Sequence, residues 1–177
     1  MPFTFQPLEI PDVIRIVPQV FGDARGFFME AYRRAPFETA GIRDAFVQDN
    51  YSRSGRGVLR GLHFQRPPHA QAKLLRCLVG EIYDVAVDIR PESPTFGRWV
   101  ALRLVPHDMI YMPAGFAHGF AVLSDAAEVL YKTSVDYRPA SEGGIAWDDP
   151  DLAIPWPVAN PQLADRDRHW PRLKDLI

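Results

Sequence analysis

Apolar and polar positions alternate most cleanly over residues 83–89, where Tyr83, Val85, Val87 and Ile89 share one face and Asp84, Ala86 and Asp88 the other. That two-residue period predicts a β-strand. Runs rich in β-branched and aromatic residues predict further strands at 13–17, 27–32, 58–64, 73–79, 99–105, 119–123 and 129–135. Seventeen prolines and twelve glycines interrupt the chain too often for long helices. One short helix is expected at 36–40, with Pro36 in its first turn and Gly41 as its stop. From Asp148 onward the chain is rich in Pro and Asp and reads as a C-terminal tail packed over the strands. Many short strands without long helices predict an all-β, antiparallel double-sheet jelly roll with short helices. With 177 residues and no internal repeat or linker, residues 1–177 are expected to form a single domain.

Composition narrows the function classes. Apolar residues make up 47% and charged residues 24%, a globular balance. Twenty basic against twenty-two acidic side chains leave a net charge of -2, which argues against a general nucleic-acid binder. The single cysteine, Cys77, excludes an internal disulfide and a multi-cysteine zinc site. No apolar run approaches the length of a membrane span, and the first residues lack a charged leader, so a soluble, cytoplasmic protein is expected.

Candidate chemistry concentrates in two segments. In residues 57–65, a regular strand would place Val58, Arg60, Leu62 and Phe64 on one face and Leu59, Gly61, His63 and Gln65 on the other; a bulge would change that phase. A strand carrying Arg60 and His63 suits a barrel interior that holds a polar ligand. The second segment, Pro113-Ala114-Gly115-Phe116-Ala117-His118-Gly119, resembles the second motif of the cupin superfamily. Metal-binding cupins add a first motif containing His-x-His and a Glu. Here that place holds His63-Phe64-Gln65, the five histidines contain no His-x-His pair, and no Glu follows until Glu81. No metal is therefore expected.

The resemblance then extends nearly end to end. Residues 21–30, 48–52, 57–65, 71–74, 80–88, 93–97 and 113–120, then Tyr131-Lys132, Tyr137-Arg138-Pro139, Glu142 and Trp147-Asp148-Asp149-Pro150, are similar in order and spacing to the dTDP-4-dehydrorhamnose 3,5-epimerase family. The resemblance implies a cofactor-free cupin enzyme acting on a dTDP-4-keto-6-deoxyhexose. Carbons 3 and 5 flank the ketone, so each can lose a proton to an enolate and regain one on the opposite face. In the family's pattern His63 is the general base, of a residue type that titrates near neutrality. Asp167 is its partner, with Asp165 two residues away and Ala164 where the family commonly has Ser. Tyr131 takes the place of the proton donor, with Tyr137 as rival; their separation of six keeps both on one side of a regular strand. Lys73 matches the cation near the C4 oxygen.

By the same resemblance Arg25, Arg60 and Arg166 would meet the diphosphate, and Gln48 and Asn50 the thymine edge, with Glu30 beside them. Phe27 would offer a stacking surface, and His118 and Glu142 further contacts. The family's N-terminal strands exchange between subunits, which implies a homodimer in which Arg25 and Glu30 serve the neighbour's site. Neither a nucleic-acid nor a membrane partner is implied. The motifs leave three other readings open: an epimerase of C3 alone or C5 alone in an antibiotic-sugar pathway, a metal-dependent cupin, and a non-catalytic nucleotide-sugar binder.

Overall fold

The computed structural model describes residues 2–176. Its strands form three sheets, and every ladder between them is antiparallel. The first sheet has six strands: β1 (Phe3–Pro7), β2 (Ile14–Pro18), β5 (Gln48–Gly55), β7 (Lys73–Val79), β10 (Met109–Met112) and β12 (Ala126–Thr133). They run in the order β1-β2-β10-β7-β12-β5. The second sheet holds β6 (Leu59–Gln65), β8 (Ile82–Asp88), β9 (Trp99–Leu104), β11 (Phe116–Val122) and β13 (Glu142–Gly144), in the order β13-β6-β11-β8-β9. The hairpin β3 (Val20–Asp23) and β4 (Gly26–Met29) stands apart as a sheet of its own. This is the expected all-β double-sheet architecture. Among the described residues no helix is long and apolar enough to cross a membrane.

Three apolar clusters explain the layering. Leu75, Cys77, Ile82, Ala86, Ile110, Phe120 and Val129 fill the space between the two large sheets. Phe37 on the short helix α1 (Arg34–Thr39) packs edge-on against Phe3, Phe5 and Tyr32, which caps the outer side of the first sheet. The C-terminal tail covers the outer side of the second sheet, burying Val85 and Val87 beneath Leu152 and Leu173. This cover is why β8 is buried on both faces although its residues alternate. The tail is fastened by polar contacts as well: Trp99 Nε1 donates to the Leu152 carbonyl at 2.8 Å, and the Leu173 amide donates to the buried Asp149 at 2.8 Å.

Several strand predictions need correction. The ladder of β4 ends at Met29, so residues 30–32 leave the sheet. β11 begins at Phe116, earlier than expected, and β12 spans Ala126–Thr133, so Tyr137 lies beyond the strand. Tyr131 and Tyr137 therefore do not share one regular strand, and strand parity does not relate their side chains. β1, β3, β5, β10 and β13 are absent from the strands expected from the sequence; β1 does alternate, as Phe3-Thr4-Phe5-Gln6, whereas the other four carry no clear alternation. β5 reads as polar because its inward row, Gln48, Asn50 and Ser52, lines the polar cleft and its outward row faces solvent. The helix starts two residues earlier than predicted, at Arg34, and Gly41 follows its end at φ 93°, a conformation that favours glycine.

Candidate active site

The site begins with an irregularity in β6. Across the β6–β11 ladder His118 pairs with His63, but Phe120 pairs with Arg60, so three steps on β6 face two on β11. One extra residue is accommodated as a bulge. Arg60 and His63, which a regular strand would separate, thus come to one side. Gly61 sits in the bulge at φ 140°; a Cβ there would lie 2.5 Å from Gly119 Cα, so only glycine permits the strands to approach.

Two adjoining hollows of about 360 Å³ each open between the sheets. His63, Lys73, Tyr131 and Arg166 border both. Arg60, His118 and Asp167 belong to the first, and Gln48, Asn50, Tyr137 and Glu142 to the second. Eleven of the fourteen residues expected from the sequence are therefore brought together. Arg25, Phe27 and Glu30 are not. Arg25 is exposed and pairs with Asp23, Phe27 lies edge-on to His107 with centroids 4.5 Å apart, and Glu30 sits 3.1 Å from Arg33.

His63 Nε2 lies 2.6 Å from Asp167 Oδ1. Asp167 also accepts from Trp170 Nε1 at 3.2 Å and, more weakly, from the Gly61 amide at 3.4 Å. Burial works to raise its carboxyl, but these hydrogen bonds, that of His63 foremost, outweigh it and hold the group below the ordinary range. An ionised Asp167 only accepts, so the His63 Nε2 carries hydrogen and the neutral ring keeps its lone pair at Nδ1. Asp165 is exposed and contributes its backbone carbonyl to His169, so of the two tail aspartates it is Asp167 that meets His63.

Lys73 is buried, and its Nζ donates to the His63 carbonyl at 3.2 Å. Burial pushes its ammonium down to about 8, against the opposing charges of Asp84 and Glu142. β7 lies between β10 and β12, so this lysine is no edge-strand surface charge. The Tyr131 phenol is raised above its ordinary value, chiefly by burial, and stays protonated at neutral pH. Tyr137 is exposed and donates its hydroxyl to Glu142 at 3.1 Å. Arg166 reaches both Glu142 oxygens at 3.0 and 3.1 Å. Gln48 donates to Asn50 at 2.8 Å and accepts from the Tyr137 amide at 2.8 Å.

Sequence reasoning missed four neighbours. Asp84 accepts from His118 Nε2 at 2.8 Å and is fully buried. Its signal was present: a charge on one face of an otherwise apolar strand requires a partner. Ser54 accepts from Arg60 Nε at 2.9 Å, and Ser52 lines the first hollow; both continue the alternate row that starts at Gln48 and Asn50. Trp170 reaches Asp167 because its indole lies on Gly144, where a Cβ would come within 2.3 Å of the ring. No local pattern announces that contact. Among the described residues no group of three or more His, Cys, Asp or Glu side chains is arranged to hold a metal ion.

Such a double-sheet barrel, with histidine–carboxylate pairs, a buried amine and a protonated phenol around one polar cleft, defines a cupin-type site equipped for proton transfer. The family model described as dTDP-4-dehydrorhamnose 3,5-epimerase matches residues 7–175. The chain belongs to the dTDP-4-dehydrorhamnose 3,5-epimerase family. It is 56% identical over 162 residues to the enzyme of that description from Shigella flexneri, covering 90% of each chain. Against the one from Pseudomonas aeruginosa it is 55% identical over 165 residues, 91% of each. Among solved structures, dTDP-6-deoxy-D-glucose-3,5-epimerase from Legionella pneumophila, in complex with dTDP-4-keto-L-rhamnose, superposes with a TM-score of 0.94 at 45% identity, covering 97% of this chain and 93% of that one.

Proposed function

We propose that the protein inverts C3 and C5 of dTDP-4-dehydro-6-deoxy-D-glucose to give dTDP-4-dehydro-L-rhamnose. The observation that carries this reading is the His63–Asp167 pair facing the same cleft as Lys73 and Tyr131. His63 Nδ1 takes the proton from the carbon beside the ketone, and the C–H electron pair moves into an enolate whose negative charge rests on the C4 oxygen. The Lys73 ammonium stabilises that oxygen. Tyr131 then donates its hydroxyl proton to the opposite face of the carbon, and solvent exchange resets both groups. The buried phenol of Tyr131 supports it as the acid over Tyr137, whose hydroxyl is engaged by Glu142. The sequence needs neither hydride nor electron transfer.

Arg60 and Arg166 are assigned to the diphosphate, whose oxygens match guanidinium forks. Gln48 and Asn50 are assigned to thymine, and His118 and Glu142 to the sugar side of the cleft. Arg25, Phe27 and Glu30 are assigned to the cleft of a second subunit. In support, the β3–β4 hairpin exposes Val20, Phe21, Phe27 and Phe28, while β1 and β2 pair within their own sheet. Within the exchanged N-terminal region of a homodimer, the hairpin and the residues just after it are assigned to the partner's cleft. A cytoplasmic setting belongs to the same reading.

Turnover in deuterium oxide tests the reaction. Deuterium is expected at both C3 and C5 of the product; label at one carbon alone would assign the chain to a single-centre epimerase, and no label would reject proton transfer altogether.

A further inference from the structure

Asp84 lies inside the barrel on β8 with no exposed surface. Oδ2 accepts from His118 Nε2, but Oδ1 is buried and has no hydrogen-bond partner among the described residues. A buried carboxylate oxygen without a donor opposes folding, so packing alone does not account for this residue. Lys73 enters the same interior from β7 on the facing sheet, and among the described residues its ammonium meets only the His63 carbonyl at hydrogen-bond distance. Lys73 shares the inward row of Leu75 and Cys77 on β7, and Asp84 that of Ala86 on β8, so both side chains project between the two sheets. There Asp84 and then Glu142 oppose the burial that lowers the amine. The other groups sharing the hollows with Lys73 do not substitute for Asp84. His63 on β6, His118 on β11 and Tyr131 on β12 bring no negative charge in their neutral forms, Arg60 and Arg166 are cations, and the Asp167 carboxylate is engaged by His63, Gly61 and Trp170.

We propose that Asp84 is a positioning residue of the cleft, turning His118 through one oxygen and holding, through the other, a buried negative charge opposite the Lys73 ammonium. Its effect on turnover rests on the reading of Lys73 as the cation at the C4 oxygen. The coupling between the two side chains does not. An Asn at position 84 keeps the shape and can still accept from His118, yet removes the charge.

The chain has three lysines, Lys73, Lys132 and Lys174, so carbon-13 lysine labelling of the full-length protein gives a spectrum in which Lys73→Met identifies the signal. In Asp84→Asn the Lys73 titration midpoint is expected to fall by about one pH unit or more, because loss of a nearby opposite charge disfavours the protonated amine. A midpoint within about 0.3 unit of the parent overturns the proposal, since a measurable opposite charge moves it further. With turnover as readout, kcat is expected to drop roughly tenfold or more while dTDP affinity stays within about threefold. If Asp84→Asn does not fold, the double variant Asp84→Asn/Lys73→Met, which removes both charges, is expected to fold. A double variant that also fails overturns the pairing. The titration needs no substrate, so a protein that proved inactive as an epimerase would still report whether Asp84 and Lys73 are coupled.

Discussion

Two histidine–carboxylate pairs face one cleft, and they are built differently. His63 is partly open, with 20% of its side chain exposed, and its partner Asp167 arrives from 104 residues away on a tail turn. Both Asp167 oxygens have donors, from His63, Trp170 and Gly61. His118 is nearly closed off at 8%, and its partner Asp84 comes from the adjacent strand with one oxygen unmatched among the described residues. The same two residue types therefore have opposite surplus. In the first pair the carboxylate is saturated and the imidazole is free to act on a ligand. In the second the imidazole is enclosed and the carboxylate has capacity left for a neighbouring cation. Accessibility and hydrogen-bond saturation, rather than residue identity, distinguish the two pairs.

The largest expected effect sharpens that contrast. His63→Ala is expected to lower kcat by about 10²–10⁴-fold with little change in dTDP affinity, read by steady-state kinetics and calorimetry. If His118→Ala instead produced the greater loss, the roles of the pairs would have to be exchanged. Lys73→Met follows, with a loss of about 10²–10³-fold for removing one donor to the enolate oxygen. Burial depresses this amine, so its proton leaves as pH rises through about 8. The sign is that of a cation required for activity: kcat/KM is expected to decline above that pH in the parent, and Lys73→Met to lack that limb.

Asp167→Asn tests the open pair from its other side. Losing a charge-assisted hydrogen bond of about 1.5–3 kcal/mol predicts a decrease of roughly 10–10²-fold in kcat. The ring would keep its place but lose the preference for hydrogen at Nε2. Smallest is Trp170→Phe, which removes one of the donors that saturate Asp167. A net hydrogen bond of about 1 kcal/mol predicts a change of roughly fivefold, visible in kcat before any change in KM. A Trp170→Phe variant as damaged as Asp167→Asn would mean that the tail's packing, not its carboxylate, governs the base.

Alternation was enough for β8, apolar and β-branched runs for β7 and β9, and Pro36 with Gly41 for the helix that buries Phe37. The jelly-roll class and the family followed from the chain alone, since the spacing of glycines, prolines and polar residues along it is a one-dimensional property. So did the membership of the cleft: His63, Lys73, Tyr131 and Asp167, marked by type and order, all line it. What the chain left undecided was decided by contact across distance. Whether Asp165 or Asp167 meets His63 depends on how the tail folds back over the second sheet, and on Gly144 leaving room for Trp170. That Arg60 and His63 face one cavity depends on an extra residue in β6, which reverses the alternation a sequence reader must assume. Asp84 meets His118 only because β8 and β11, far apart along the chain, pair side by side in the second sheet. Side-chain period is set within a strand, whereas bulges, burial and charge pairing are set by what packs opposite, and only the folded chain specifies that.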